Sequence, residues 1–302
     1  MSYYPEVNRN ELIQGIRQTS DSGILEVLKP HGDRDQELRD HFAGKGSATG
    51  VDNENTRIVP LFDPQGCIDL HRRDKRVFSP DQEKFIFSGH GPTNESQEAT
   101  VRTLRAFKEN FGLFSGNVLG SLDWTNVVVA GGAVTTSLLP RSDGDSYETM
   151  APDADIDLFL YGLDHDQAIE KSLGIEKALI DNMKGSGGAP DMLTVRTTNA
   201  ITIVSNPYKR RVQIVCRLYR SLEEILVGFD VDCSTFAYDG EMVYASPRGI
   251  AAFATRINSI DISRRSPSYE NRLFKYAKRG FGVFFREMER AEINPVSIYM
   301  RR

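Results

Sequence analysis

The chain has 302 residues, 39% of them hydrophobic and 26% charged, with a net charge of −5; this is the profile of a globular protein with a buried core and excludes a fibrous or low-complexity chain. The longest apolar runs, VVVA at 127–130 and FLYG at 159–162, fall far short of the roughly 18 residues that a membrane span requires, so no membrane partner is expected. Cys67, Cys216 and Cys233 are odd in number and lack metal-ligand spacing, and the first residues, MSYYPEVNRNE, have neither a basic nor an apolar leader pattern; a cytoplasmic or nuclear setting is expected.

Residues 1–95 alternate short apolar islands such as IVPLF with loop-like runs such as HGDRDQE and GKGSATGVDNENT, which predicts a poorly specified, loosely packed N-terminal region. The texture changes at 96. In SQEATVRTLRAFKENFG, Val101, Leu104, Phe107 and Phe111 recur at helical spacing before Gly112, predicting an amphipathic helix with a glycine stop. NVVVAGGAVTTSLLP at 126–140 reads as a buried strand that breaks at Gly131-Gly132 and continues as a short helix ending before Pro140. Such a corner frees backbone N–H groups for a phosphate, while glycine there equally serves a positive φ or close packing.

The segment APDADIDLFLYG at 151–162 places two poor strand formers inside a strand pattern. Side chains alternate faces along a strand, so Asp155 and Asp157 share one face, about 7 Å apart, while Ile156, Leu158 and Leu160 enter the core. Two such carboxylates suit Mg²⁺ or Mn²⁺ shared with substrate phosphates; an exposed edge strand with solubilising charges is the plainer alternative. Apolar residues on both faces of FLYG favour a central strand. A helix at about 166–184, a flexible KGSGGAP loop, and strands AITIVS (200–205) and RVQIVCRLY (211–219) follow. Ser221 and Glu224 form the capping box of a short helix. GFDVDCSTFAYDG at 228–240 alternates again, predicting a strand with Asp230 and Asp232 on one face, and its YDG turn leads into a return strand EMVYA.

Charge is concentrated at the end of the chain. Residues 263–302 hold ten Lys and Arg against four Glu, a net of +6, which leaves −11 for the rest. SPSYENRLFKYAKRG reads as a helix with Pro267 at its first position and Gly280 as its stop. Arg272, Lys275 and Arg279 then share a face suited to triphosphate or nucleic-acid backbone, or simply to solvent, while Leu273, Tyr276 and Ala277 face the body.

The Gly131-Gly132 corner with Ser137 in the following helix, Asp155-x-Asp157 on a strand and a further Asp on a later strand resemble the DNA polymerase β-type nucleotidyltransferase superfamily. The run from 124 to 282 is similar to uncharacterised nucleotidyltransferase-like domains of fungal and other eukaryotic proteins, sometimes found beside ankyrin repeats. The resemblance implies an α/β (α+β) fold with a mixed sheet flanked by helices, spanning about 96–302. It also implies Mg²⁺ (or Mn²⁺) as cofactor, and transfer of a nucleoside monophosphate from ATP or another NTP to an acceptor hydroxyl on RNA, protein or a small molecule, with release of pyrophosphate. Asp155, Asp157 and Asp230 are then the metal ligands, Asp230 or Asp232 the third catalytic carboxylate, and Gly131, Gly132, Ser137, Arg272, Lys275 and Arg279 the nucleotide-binding residues. Two features depart from the superfamily pattern: RSDGDSYETMAPDA lengthens the connection between Gly132 and Asp155, and Gln213 stands where many members carry the third carboxylate. Either the FDVD segment supplies that carboxylate, or the fold is a catalytically silent module that binds nucleotide, RNA or protein.

Overall fold

The computed structural model describes residues 7–19, 21–44, 57–72, 86–87, 98–141, 144, 146–152, 154–184, 191–206 and 210–285. Its centre is a mixed sheet of eight strands: β1 (Val59–Pro60), β3 (Val127–Ala130), β4 (Ile156–Tyr161), β5 (Asp191–Arg196), β6 (Ala200–Asn206), β7 (Val212–Tyr219), β8 (Phe236–Tyr238) and β9 (Val243–Ala245). Their order is β1-β9-β8-β3-β4-β7-β6-β5, and only β4 and β7 run parallel. A second sheet joins β2 (Ile86–Phe87), β10 (Ile257–Ser259) and β11 (Gly282–Phe284), with β11 in the middle.

The alternation read from DIDLFLYG holds. Ile156, Leu158 and Leu160 are buried in the main core, and β4 lies between β3 and β7 as a central strand. On the other face, Phe159 joins Val128, Ala130 and Ala237 beneath Leu222, Ile225 and Leu226 of α7 (Leu222–Val227). The α7 cap differs from a simple box: Ser221 accepts from Glu224 N, while the Glu224 carboxylate accepts from Arg220 N at 2.7 Å. α6 (His165–Lys184) lies within a residue of the expected helix and buries Ala168, Ile175 and Leu179 in the main core. The YDG turn closes the β8–β9 hairpin.

Several expectations are corrected. HGDRDQE is helical: it lies in α2 (Asp21–Phe42), which follows α1 (Arg9–Gln18). These helices are packed on the core, with Ile16 and Leu38 fully buried, and β1 extends the main sheet. Asp35 of α2 is buried against Arg248 and Arg264, both at 3.4 Å, so an ion-pair network together with apolar contact holds a helix that contains Pro30 and Gly32. α3 runs Leu104–Ser115 from an N-cap at Thr103 and ends at Gly116 with φ 61°. Gly112 is therefore inside the helix, where an added Cβ would lie 2.8 Å from Asn117 Oδ1. The FDVD strand is absent: Asp232–Ser234 form a 3-10 turn, and β8 begins only at Phe236. Ser234 Oγ donates to Val231 O and Thr235 Oγ1 to Asp232 O, both at 2.7 Å; these local bonds compete with strand pairing. α8 (Pro247–Thr255) precedes β10, and α9 (Tyr269–Ala277) has Ser268 at its N-cap position, so Pro267 lies outside the helix. Residues 185–190 of the KGSGGAP loop, and Arg286, Arg290, Arg301 and Arg302 of the cationic end, lie outside the described residues.

Gly240 shows how tightly the hairpin is built. Its φ is 95°, and a Cβ there would overlap the Trp124 indole. Gly240→Ala is expected to lower stability by about 2–3 kcal/mol, combining left-handed strain with overpacking, read as a fall in the midpoint of thermal or urea denaturation.

Candidate functional site

The site forms where β3 ends beside the start of β4. The antiparallel register pairs Val129 with Leu158, so its continuation sets Ala130 beside Asp157 and the Gly131-Gly132 corner just beyond. Gly131 has φ 83°, a conformation that glycine adopts readily and other residues rarely do. α4 (Gly132–Leu138) follows directly. On the face of the sheet that carries Phe159, the α7 cover gives way to Asp157 and Asp155, with Gln213 of β7 in register with Asp157.

Tyr147, Ala151 and Ala154, before β4, are held by one side chain that the sequence does not single out. Arg210 donates from Nε to Phe114 O at 2.8 Å, from Nη1 to Ala151 O and Ala154 O at 2.9 Å, and from Nη2 to Tyr147 O at 2.8 Å, and it stacks 3.9 Å over the Phe114 ring. The segment expected to be a loop contains α5 (Tyr147–Met150), capped by Ser146. Nothing in the sequence around Arg210-Arg211 marks one arginine as structural, because all four acceptors are main-chain carbonyls distant along the chain.

Asp155 lies just ahead of β4. Arg211 Nε donates to its Oδ1 at 2.9 Å and Nη2 to its Oδ2 at 3.1 Å, and Gln213 Nε2 donates to Oδ2 at 3.2 Å. Asp157 keeps some surface at the mouth of the site but is surrounded mainly by protein. Burial first, and the Asp155 charge second, push its pKa up to about 6, against the smaller opposing pull of Lys275, Arg272 and Arg211. The two carboxylates are thus an incompletely compensated like-charge pair that a hard cation would relieve.

α9 carries the basic face to this point. Lys275 and Arg272 act electrostatically on Asp157, and Leu273 and Tyr276 are buried against the body as expected. Beyond the helix, Arg279 lies over the Tyr276 ring, and its Nη1 is 3.8 Å from the position a Gly132 Cβ would take. That nitrogen is buried and has no hydrogen-bond partner, a situation rare enough to require an explanation. Tyr276 Oη is 3.5 Å from the same Cβ position, and burial raises its pKa above the usual phenol value.

The structure therefore brings together Gly131, Gly132, Asp155, Asp157, Arg272, Lys275 and Arg279. It leaves out Ser137, which is fully buried with its hydroxyl donating to Ala133 O at 2.9 Å. The candidates for third carboxylate are both engaged by arginines, Asp230 by a site residue and Asp232 in a separate network. Asp230 accepts from Arg272 Nη1 at 2.8 Å and from Ser266 Oγ at 2.7 Å; Asp232 pairs with Arg248 at 3.1 Å and accepts from Ser259 N at 2.8 Å. Asp230 thereby positions Arg272. Among the described residues no group of three His, Cys, Asp or Glu side chains is arranged to hold a metal ion, and no helix is long and apolar enough to cross a membrane.

Comparison with known proteins gives two findings. Residues 105–256, half of the chain, match the model of the Gabija anti-defense 2 family. An uncharacterized protein of Acanthamoeba polyphaga mimivirus is 29% identical over 218 residues, which cover 69% of this chain and 46% of the relative, so the chain spans less than half of that protein's length. The family match contains the glycine corner, the Asp pair, Arg210 and Arg211; α9 lies beyond it.

Two variants probe this geometry. A carboxyl whose folded pKa is raised contributes stability that is complete below its unfolded value, about 3.9, and is lost as pH rises through about 6. In metal-free buffer Asp157→Asn is therefore expected to be more stable than the wild type by about 2–3 kcal/mol at pH 7.5, with the gap closing toward pH 4, as followed by urea denaturation across that range. Arg210→Met removes four carbonyl contacts and is expected to open the segment around α5, seen as new proteolytic cleavage between residues 147 and 154.

Proposed function

The chain belongs to the Gabija anti-defense 2 family, and on that footing we propose that it is a metal-dependent nucleotidyltransferase that passes a nucleoside monophosphate from an NTP to an acceptor hydroxyl, releasing pyrophosphate. The observation that carries this reading is the buried, unpartnered Arg279 Nη1 facing Gly132 beside the Asp155/Asp157 pair. An anionic phosphate approaching the glycine corner would supply the missing acceptor, and a side chain at 132 would stand in its way.

Asp155 and Asp157 fit Mg²⁺ or Mn²⁺ of the kind held by one or two carboxylates together with substrate phosphates, and do not form an all-protein cage. When bound, the ion supplies charge neutralisation on the transferring phosphoryl group and activation of the attacking oxygen. The protein's own residues do the rest. Arg279 and Lys275 bind the phosphate chain, Asp230 holds Arg272 toward the same space, and Gly132 leaves room for the phosphate. The neighbouring strand contributes Gln213 in place of a third carboxylate. A neutral amide there supplies no general base, so in this reading acceptance of the acceptor's proton falls to the Asp pair. The family's name points to a role against the Gabija defence.

A second reading has an observation of its own. With Asp155 clamped by Arg211 and Gln213, Asp230 paired with Arg272 and Asp232 with Arg248, the same fold would serve as a catalytically silent module that binds nucleotide, RNA or protein. Incubation with each labelled NTP, Mg²⁺ or Mn²⁺ and candidate acceptors separates the two. Pyrophosphate release and label transfer are expected in the wild type and are expected to vanish in Asp157→Ala. Arg279→Met is expected to raise the KM for NTP by about tenfold, the loss of one charge-assisted contact. If the wild type released no pyrophosphate with any NTP, the binding-module reading would replace the enzymatic one.

A further inference from the structure

The strand register carries the face that holds the Asp pair outward to the edge of the sheet. Asp157 is in register with Gln213 of β7, Gln213 with Thr202 of β6, and Thr202 with Val195 of β5. A second row runs beside the first. Arg211 binds Asp155, the continuation of the Ile203–Val212 register sets Val204 beside Arg211, and Val204 is in register with Leu193. The α7 cover stops short of both rows, since Leu222, Ile225 and Leu226 pack with Phe159 and Val215. At the outer end Leu193, Val195 and Val204 are 62%, 43% and 37% exposed. The reverse side of β5 is held: Met192 packs on the main core and Thr194 Oγ1 donates to Glu176 at 2.7 Å. An apolar strip on a fixed strand is thus continuous with the acid pair, and β5 ends the sheet order among the described residues.

We propose that this face seats the acceptor and that the acceptor is a polypeptide, lying across the strands with an apolar side chain on Leu193, Val195 and Val204 and a Ser, Thr or Tyr hydroxyl at the Asp pair. The inference rests on the nucleotidyltransferase reading and names its acceptor class. From β4 to β5 is three strand spacings, about 14 Å, and an extended chain advances about 3.4 Å per residue. The apolar anchor therefore sits about four residues from the modified hydroxyl. Thr202 and Gln213, between the two ends, are polar side chains matched to a crossing peptide backbone. Charge selects this occupant over RNA. The rows hold two carboxylates and one cation, Arg211, which is paired with Asp155, so a polyanion would meet net negative charge and then an apolar edge. The basic face of α9, which acts on Asp157, is taken up by the NTP phosphates in the same reading. A small hydroxyl compound would make no use of an apolar strip that far from the acid pair.

The test supplies the full chain with α-labelled NTPs, Mg²⁺ or Mn²⁺ and three acceptors in parallel: a pool of random twelve-residue peptides with a central Ser, Thr or Tyr, a pool of random RNA oligonucleotides, and glycerol. Label is expected on the peptides, with apolar residues enriched about four positions from the modified hydroxyl. Leu193→Asp and Val195→Asp together are expected to raise the KM for peptide about tenfold and leave the KM for NTP as in the wild type, because an apolar contact made on binding is lost. Leu113→Asp, at a 65% exposed position on α3 away from these rows, is expected to behave as the wild type. If label went to RNA, to glycerol or to water alone, or if the double variant modified peptides as well as the wild type does, the polypeptide inference would be refuted while the nucleotidyltransferase reading stood. If light scattering showed that the double substitution turned a larger assembly into single chains, the face would be an interface between copies and the inference would likewise fail. If no NTP gave pyrophosphate with any acceptor, the nucleotidyltransferase reading would fall and the acceptor face with it.

Discussion

The geometry of the site hangs on the Arg210 guanidinium. Four main-chain carbonyls, from Phe114, Tyr147, Ala151 and Ala154, converge on one cation stacked on the Phe114 ring. Tyr147 O and Ala151 O also accept from Ala151 N and Ala154 N, and a planar five-donor fork is the side chain best able to serve several carbonyls at once. Because the last of the four belongs to Ala154, the residue before the first aspartate, the same contacts also fix where β4 begins. Burial and the nearby Arg279 lower the Arg210 pKa, but the carbonyl dipoles keep the charge useful where it sits.

From that anchor the charges around the acid pair fall into place. Asp155 meets Arg211 and Gln213, while Asp157, deeper and beside a like charge, is left to the weaker pull of Lys275 and Arg272 from α9. Two carboxylates on one face of a central strand carry an electrostatic penalty that packing does not remove. Proteins tolerate such penalties at sites where a ligand relieves them. The buried nitrogen of Arg279 is the complementary case, a donor in want of an acceptor, and it lies against the Gly132 backbone.

A second charged network lies on the other side of α7. Asp35 of α2 touches both Arg248 and Arg264; Arg248 continues to Asp232 and to the carbonyls of Leu226 and Phe229, and Arg264 to Val227 O. These contacts bind the N-terminal helices to the segment between α7 and β8. They also explain why Asp232 serves structure: its two oxygens are committed to Arg248 and to the Ser259 amide. Breaking one partner of such a network would leave the others buried and unpaired, so its members act as a unit.

Sequence alone determined the elements whose signal is local. The β-branched run and glycine pair of β3–α4, the alternation of β4, the long α6, the strands β6 and β7 and the YDG hairpin all follow from periodicity and turn chemistry within a few residues. So did the shared face of Asp155 and Asp157, a consequence of strand parity. Tertiary structure decided what depends on partners far along the chain. Pro30 and Gly32 sit inside α2 because Ile24 and Leu38 are buried and Asp35 is paired, contacts that outweigh local propensity. The FDVD alternation did not become a strand because Asp230 and Asp232 found arginines from α9 and α8, and the hydroxyls of Ser234 and Thr235 closed the backbone on itself. Ser266, read as part of a helix start, instead donates to Asp230, and α9 begins three residues later. Periodicity reports which face a side chain takes; which charge it meets there is set by long-range packing, and that is why the acid pair was legible and its partners were not.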